Sequence, residues 1–445
     1  MAKKQRKQRA PKTTGRPEAK TTLVKADSPW FRKTKTQVLL LFALAAAIYA
    51  NTLGHDFALD DAIVITENSI VKQGVSGWGE LFSHDTFYGF FNDEAKTNLV
   101  AGGRYRPLTL AMFALERQIS SGPFLHHLLN VLWYALLVVV IFFFTRDLAK
   151  NDDLLLFGGK DGSGSTARLK YFLPALGAVA LFLVIRSSVI GFSLGEPVLE
   201  LMNNPFLELK NGSWVHLSAG DRLATVMHTL WEYLRLLFVP AGLVHDYYPM
   251  AVPVKSWAQL TPWLGLLLHV GIGVFALLKF RSYRFLALGI LIYLATLSIV
   301  SNVFFSVGTN MSERFLFMPS LGWAIAVTAL VARGTMRFGG AVAYVIPALV
   351  LVFSGLTIAR NPVWKDNFTL FTTDVEKQPN SAKLLNAAGG SKVDRYQNLS
   401  ATDKPGQTNL LTEAADHLTR AIQIHPTYKN AYLLRGNANL LLDRF

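Results

Sequence analysis

QVLLLFALAAAIYANTL, residues 37–53, runs without a charge into GHDFALDD, residues 54–61. An uncharged run of this length reads as a membrane span. The adjacent carboxylates Asp60 and Asp61 that follow are expensive to keep near lipid. They mark the outer mouth of that span as a place for a general base or a cation site. Further apolar runs recur at roughly 126–145, 171–190, 262–280, 285–304, 315–332 and 340–359. The chain therefore reads as an all-α polytopic membrane protein, in line with its hydrophobic content of 51%. It has no cysteine, so disulfides, thiolate metal sites and cysteine nucleophiles are excluded.

The net charge of +14 is concentrated at one end. Residues 1–36 hold 12 Lys or Arg against Glu18 and Asp27, and the remaining 409 residues carry only +4. This block reads as a disordered cytoplasmic tail beside anionic lipid rather than a nucleic-acid arm. Basic residues recur after the second span (Arg146, Lys150, Lys160, Arg168, Lys170). They recur again at Lys279, Arg281 and Arg284, and at Arg333 and Arg337. The positive-inside rule puts these loops in the cytoplasm. It puts the acidic loop 54–125 outside, with the segment that follows residue 359. Leu223–Pro240 is apolar but carries His228, Glu232 and Arg235, and reads as re-entrant or interfacial.

From residue 360 to 445 the composition turns polar. Ala414, Leu418, Ala421 and Pro426, followed by Tyr432 and Gly436, have the spacing of a 34-residue tetratricopeptide repeat. Leu385 to Gly389 fits an earlier half-repeat, with the connection Asp394 to Gln407 lengthened. The expected domains are the tail 1–36, a transmembrane domain 37–359 and a partial helical solenoid 360–445. The solenoid ends mid-repeat, so the chain reads as a piece of a longer protein.

The first outer loop and the mouths of the later spans carry the remaining chemistry. Arg104, Arg106 and Arg314 suit phosphate through paired hydrogen bonds. Arg106 could instead pair with Asp85 or Glu116 and shape the loop, and Glu313 could neutralise Arg314. Asp60-Asp61 could simply cap the following helix. Pro107–Gln118 reads as an amphipathic helix on the membrane face or as an ordinary packed one. His245, Asp246 and Tyr247 could line an acceptor groove, or form an interfacial aromatic belt with Tyr248. His84, His126 and His127 show no metal-ligand spacing and read as structural. A phosphate-binding glycine loop, a Ser-His-Asp order and a dinucleotide fingerprint are not recognisable.

Seven strings in order resemble one family: YANTLGHDFALDD (49–61), LFSHDTFYG (81–89), YRPL (105–108), HLLNVL (127–132), HDYYP (245–249), SERFLFMPS (312–320) and RNPVWKD (360–366). They are similar to the tetratricopeptide-repeat-containing transmembrane O-mannosyltransferases and their bacterial relatives, within the GT-C superfamily. The resemblance implies a GT-C-like helical bundle, a polyprenyl phosphate sugar donor (mannose) and a hydroxyl acceptor on a protein or surface glycan. It implies that Asp60 is the base. Asp61 would orient it or bind a divalent cation such as Mg or Mn, with Asp60 and Asp61 as the only ligands to name. Arg104, Arg106 and Arg314 would hold the phosphate, supported by Asp85, His245, Asp246, Tyr247 and Glu313. Expected partners are membrane lipid, the donor, the acceptor and a protein bound by the repeats, with no nucleic acid. The expected home is a bacterial cytoplasmic membrane rather than the endoplasmic reticulum. The family's histidine-proline-x-histidine motif and a short acidic loop motif after the second span are not found. The chain reads as lacking several helices there, which leaves a non-catalytic membrane scaffold as the alternative.

Overall fold

The computed structural model describes residues 30–93, 104–150, 165–191, 199–304 and 306–444. The basic tail up to residue 29, Glu94 and Lys96 of the first loop, and the stretch from Gly158 to Gly164 lie outside these residues. The described chain is helical nearly throughout. Its one strand pair is an antiparallel hairpin, β1 (Leu207–Lys210) and β2 (Ser213–His216), with Leu207 opposite His216.

The longer helices are α1 (Thr34–Tyr49), α2 (Pro107–Ile119), α3 (Pro123–Lys150), α4 (Ser165–Ile190), α5 (Ala219–Phe238), α6 (Leu260–Lys279), α7 (Arg284–Ser298), α8 (Phe317–Phe338) and α9 (Val345–Arg360). Then come α10 (Asn367–Lys377), α11 (Ala382–Gln397), α12 (Asn409–Ile424) and α13 (Lys429–Leu441). Among the described residues, five helical stretches are long and apolar enough to cross a membrane: Thr34–Thr52, Pro123–Lys150, Leu260–Lys279, Glu313–Phe338 and Gly340–Trp364. They carry five of the seven expected spans. The other two expected spans fall on shorter apolar stretches, Leu176–Ile190 and Arg284–Ser298. The long helices leave apolar side chains such as Leu39, Leu267 and Leu351 exposed, as contact with lipid requires. The molecule is an all-α polytopic membrane protein.

Close helix contacts depend on small residues. Glycines Gly289 of α7 and Gly322 of α8 face each other, and a Cβ at Gly289 would lie 2.6 Å from the Gly322 carbonyl oxygen. Small residues at such a crossing let two backbones approach, which is the main source of helix packing in lipid. Gly265 of α6 serves α5 in the same way, since a Cβ there would lie 1.8 Å from the Met227 carbonyl oxygen.

Helix α5 contains the ambiguous segment 223–240. It is amphipathic, with Val226, Leu230, Tyr233 and Leu237 buried. Thr225 near its start accepts from the Lys255 backbone N–H at 2.9 Å, the Tyr233 hydroxyl accepts from Ser312 N–H at 3.1 Å, and Val244 beyond its end donates to Glu313 at 2.7 Å. The helix is thus bonded along its length to the loops around it.

Helices α10 to α13 stack in sequence, and Gly389 of α11 sits against Leu418 of α12, where a Cβ would lie 2.6 Å from Leu418 Cγ. Helix α11 continues to Gln397 and a short turn covers Lys404–Gln407, so the connection to α12 is tighter than a loop from Asp394 to Gln407. Buried residues of α5, of the loop 244–252 and of α10 to α13 form one continuous apolar core.

Candidate active site

The turn after α1 separates the two carboxylates. Leu59 adopts φ 56°, a left-handed conformation that is strained for a branched side chain. Its N–H donates to Asn367 Oδ1 at 2.7 Å, which holds the turn against α10. Asp56 N–H donates to the Lys365 carbonyl at 2.8 Å. Asn361 Nδ2 donates to the Ile48 carbonyl at 2.9 Å and to Asn51 Oδ1 at 2.7 Å. The RNPVWKD string after α9 is therefore the brace for the acidic turn.

Asp61 Oδ2 accepts the Ala58 N–H at 3.0 Å. Burial pushes the Asp61 carboxyl above its usual range, with the neighbouring Asp60 adding to this. The Ala58 hydrogen bond and the nearby rings of His127 and His126 oppose the rise. Asp60 Oδ2 meets Arg314 Nη1 at 3.5 Å, with the two side chains 55% and 61% exposed. An ion pair this long and this wet is weak, so Arg314 can exchange it for another anion. Neither carboxylate caps the short helical turn Ala62–Thr66 that follows, since Asp61 stands at its N-cap without a capping bond from its side chain. The capping alternative is not what the side chains do.

These groups open onto a cavity of about 700 Å³ between α1, α2, α3 and the start of α8. Asp60, Asp61 and Arg314 line it with Tyr49, Phe57, His126, His127, Asn130, Tyr134 and Trp364. That volume suits a small-molecule ligand of sugar-phosphate size. Rings from α1 and α3 close its inner end, with Tyr49 and Tyr134 edge to face at 5.0 Å.

Arg104 stands over the Phe87 ring at 4.9 Å. Burial lowers its guanidinium pKa, as do the nearby cations Arg314 and Arg106, while Asp60 and Asp85 partly compensate. Arginine keeps its charge regardless, so positive charge from three residues crowds the Asp60 side of the loop. Asp85 is a loop clamp, accepting Arg104 N–H at 2.5 Å and Phe87 N–H at 2.8 Å through its two oxygens. Glu116 pairs with His126 at 2.6 Å. Neither is bonded to Arg106, whose side chain is exposed.

His245, Asp246, Tyr247 and Glu313 do not line this cavity. His245 Nδ1 lies 3.0 Å from Asp374 Oδ2, and Asp374 also takes both Arg360 nitrogens at 2.7 and 2.9 Å. Burial alone would raise the Asp374 pKa. The hydrogen bonds from His245 and Arg360 outweigh it and hold the carboxyl below its ordinary value. Asp246 pairs with Lys383 at 2.6 Å, and the Tyr247 hydroxyl donates to Glu313 at 2.6 Å. The HDYYP string fastens the loop after α5 to α10 and α11. Glu313 serves this fastening and leaves Arg314 to Asp60.

Among the described residues, no three His, Cys, Asp or Glu side chains gather as a metal site. Asp61 already accepts a backbone hydrogen bond and Asp60 faces a cation, so the pair is poorly disposed to share a divalent ion.

No family model matches the chain, and no solved structure does. Curated proteins do match. The chain is 23% identical to Protein O-mannosyl-transferase F38B6.6 of Caenorhabditis elegans, over 88% of this chain and 63% of that protein. It is 25% identical to Protein O-mannosyl-transferase TMTC3 of Mus musculus, over 79% of this chain and 48% of that protein. It is 26% identical to Protein O-mannosyl-transferase TMTC1 of Homo sapiens, over 47% of this chain and 24% of that protein. The chain thus spans less than two thirds of the length of these relatives. Its curated homologues are protein O-mannosyl-transferases of the TMTC family, and the resemblance carried by the seven strings holds across most of the chain.

Proposed function

We propose that the chain is a GT-C-like membrane glycosyltransferase. It transfers a sugar, mannose by the names of its relatives, from a polyprenyl phosphate to a hydroxyl of a protein or surface glycan. One observation carries the reading: a single cavity beside apolar helices gathers an exposed carboxylate, a weakly held arginine and aromatic walls. The acceptor hydroxyl oxygen attacks the anomeric carbon, and its proton goes to Asp60. The bond from that carbon to the phosphate oxygen breaks, and its electron pair leaves with the phosphate. Arg314 releases Asp60 and takes up the charge of the leaving group, with Arg104 and Arg106 beside it. The exposed faces of α1 and α3 would hold the isoprenoid chain. No step runs through a divalent cation. In this reading α10 to α13 are tetratricopeptide repeats that bind a protein partner outside the cytoplasm.

The test is turnover of a synthetic short-chain polyprenyl phosphate mannose by purified protein, paired with donor binding. Asp60→Asn keeps size and hydrogen bonding but cannot take the proton. It should lower turnover by about a hundredfold or more while donor still binds. Arg314→Ala should weaken donor binding instead. Full turnover by Asp60→Asn removes that carboxylate from the mechanism. Donor binding without turnover in the unaltered chain would favour the scaffold alternative.

A further inference from the structure

Glu116 on α2 and His126 in the first turn of α3 are each 6% exposed. Glu116 Oε2 lies 2.6 Å from His126 Nδ1. A carboxylate at Nδ1 fixes the ring hydrogen there, so Nε2 of the neutral ring is a bare acceptor. This Nε2 is buried and has no hydrogen-bond partner among the described residues. Phe57 at 5.4 Å and Phe113 at 6.1 Å flank the ring and hinder its turning away. The residue lines the same cavity as Asp60, Asp61 and Arg314. A buried acceptor is costly to leave bare, so an O–H from the contents of the cavity is its natural partner.

We infer that His126 Nε2, oriented by Glu116, is a hydroxyl-binding atom of the cavity, donated to by a hydroxyl of the bound sugar or of the acceptor. This rests on the glycosyl-transfer reading for the identity of the ligand. It adds a binding residue to the outer mouth and gives Glu116 a positioning role.

The test uses the full chain with 15N-labelled histidine in detergent. Without ligand, the His126 Nδ1 signal should be that of a nitrogen whose hydrogen is held by Glu116. The probes are short-chain polyprenyl phosphate mannose and a threonine-containing peptide, added singly and together. A shift of the Nε2 signal by the donor alone assigns the contact to a sugar hydroxyl. A shift that needs the peptide assigns it to the acceptor. An Nε2 signal unmoved by either overturns the inference. His126→Asn supplies the second arm, because its amide nitrogen can still donate to Glu116 while the Nε2 position is deleted. It should melt close to the unaltered protein yet bind or turn over the probes about tenfold less well. Transfer by His126→Asn at the unaltered rate and affinity overturns the inference and leaves the glycosyltransferase reading standing. A shifted Nε2 without any sugar transfer does the reverse.

Discussion

Asp60 and Asp61 carry the same group one residue apart and live in different surroundings. The left-handed Leu59 turns the chain just before them, so one carboxylate reaches Arg314 and the other folds back on Ala58. Asp61 has a folded-state pKa raised chiefly by burial. Its unfolded value lies near the ordinary ~3.9. Stability from this group is therefore fully present below that value and is lost as pH rises through the folded pKa. Asp61→Asn removes the loss while its amide oxygen still accepts from Ala58. We expect Asp61→Asn to raise the melting temperature relative to the unaltered chain at pH 7, and to do so less at pH 3.5. Equal offsets at the two pH values would show that Asp61 titrates alike in both states. The sequence marked this pair, because adjacent carboxylates at the end of an apolar run are expensive. It could not tell the two apart, because the division depends on Asn367, more than 300 positions away. His126 was passed over for a similar reason. Its meaning comes from Glu116 on another helix, and the only local signal was an acid that the fold turns inward.

Apolar length predicts a helix that spans, and at this scale the reading from sequence fared well. Five expected spans are helices of full crossing length, and two are shorter apolar helices. How helices meet was less legible, because a glycine in an apolar run can be a tight contact or nothing at all. Gly289 and Gly271 show the contrast. A Cβ at Gly289 would meet the α8 backbone at 2.6 Å, whereas one at Gly271 has nothing within 4 Å. Gly289→Ala must push α7 from α8, since the obstacle is backbone and cannot swing aside. Such overpacking costs on the order of 1–3 kcal/mol. Gly271→Ala should be neutral or slightly stabilising, because alanine favours the helix over glycine. Thermal unfolding in detergent, followed by tryptophan fluorescence, compares the two. A Gly289→Ala melt that matches Gly271→Ala would mean that the α7–α8 crossing is looser than a 2.6 Å approach to backbone allows.

Across the whole molecule, the acidic turn, the loop after α5 and helices α10 to α13 are tied into one layer. Leu59 and Asp56 are bonded to residues 365–367, His245 and Arg360 share Asp374, and the Ser381 hydroxyl donates to the Tyr248 carbonyl at 2.6 Å. The buried carboxylate of Asp374 with its two partners is costly to break, about 3–5 kcal/mol when one partner is removed. The layer should therefore stay on one side of the membrane as a unit. Charge patterning says which side. Lys279, Arg281 and Arg284 stand at the far ends of α6 and α7, where the positive-inside rule expects the cytoplasm. We predict that Asn398, an exposed position beyond α11, lies on the face opposite Arg281. The chain has no cysteine, so each substituted thiol reports alone. In intact cells an impermeant thiol reagent should label Asn398→Cys at once, and Arg281→Cys only after permeabilisation. Labelling of both before permeabilisation, or of both only after it, would place the two positions on one side. That outcome requires α7, the short helix between them, not to cross. The reverse pattern, with Arg281→Cys labelled at once and Asn398→Cys only after permeabilisation, requires α5 to cross the membrane or α4 not to. If α5 crosses, its bonds to Lys255 and Ser312 and the bond from Val244 beyond it to Glu313 could not all stand in one layer of loops.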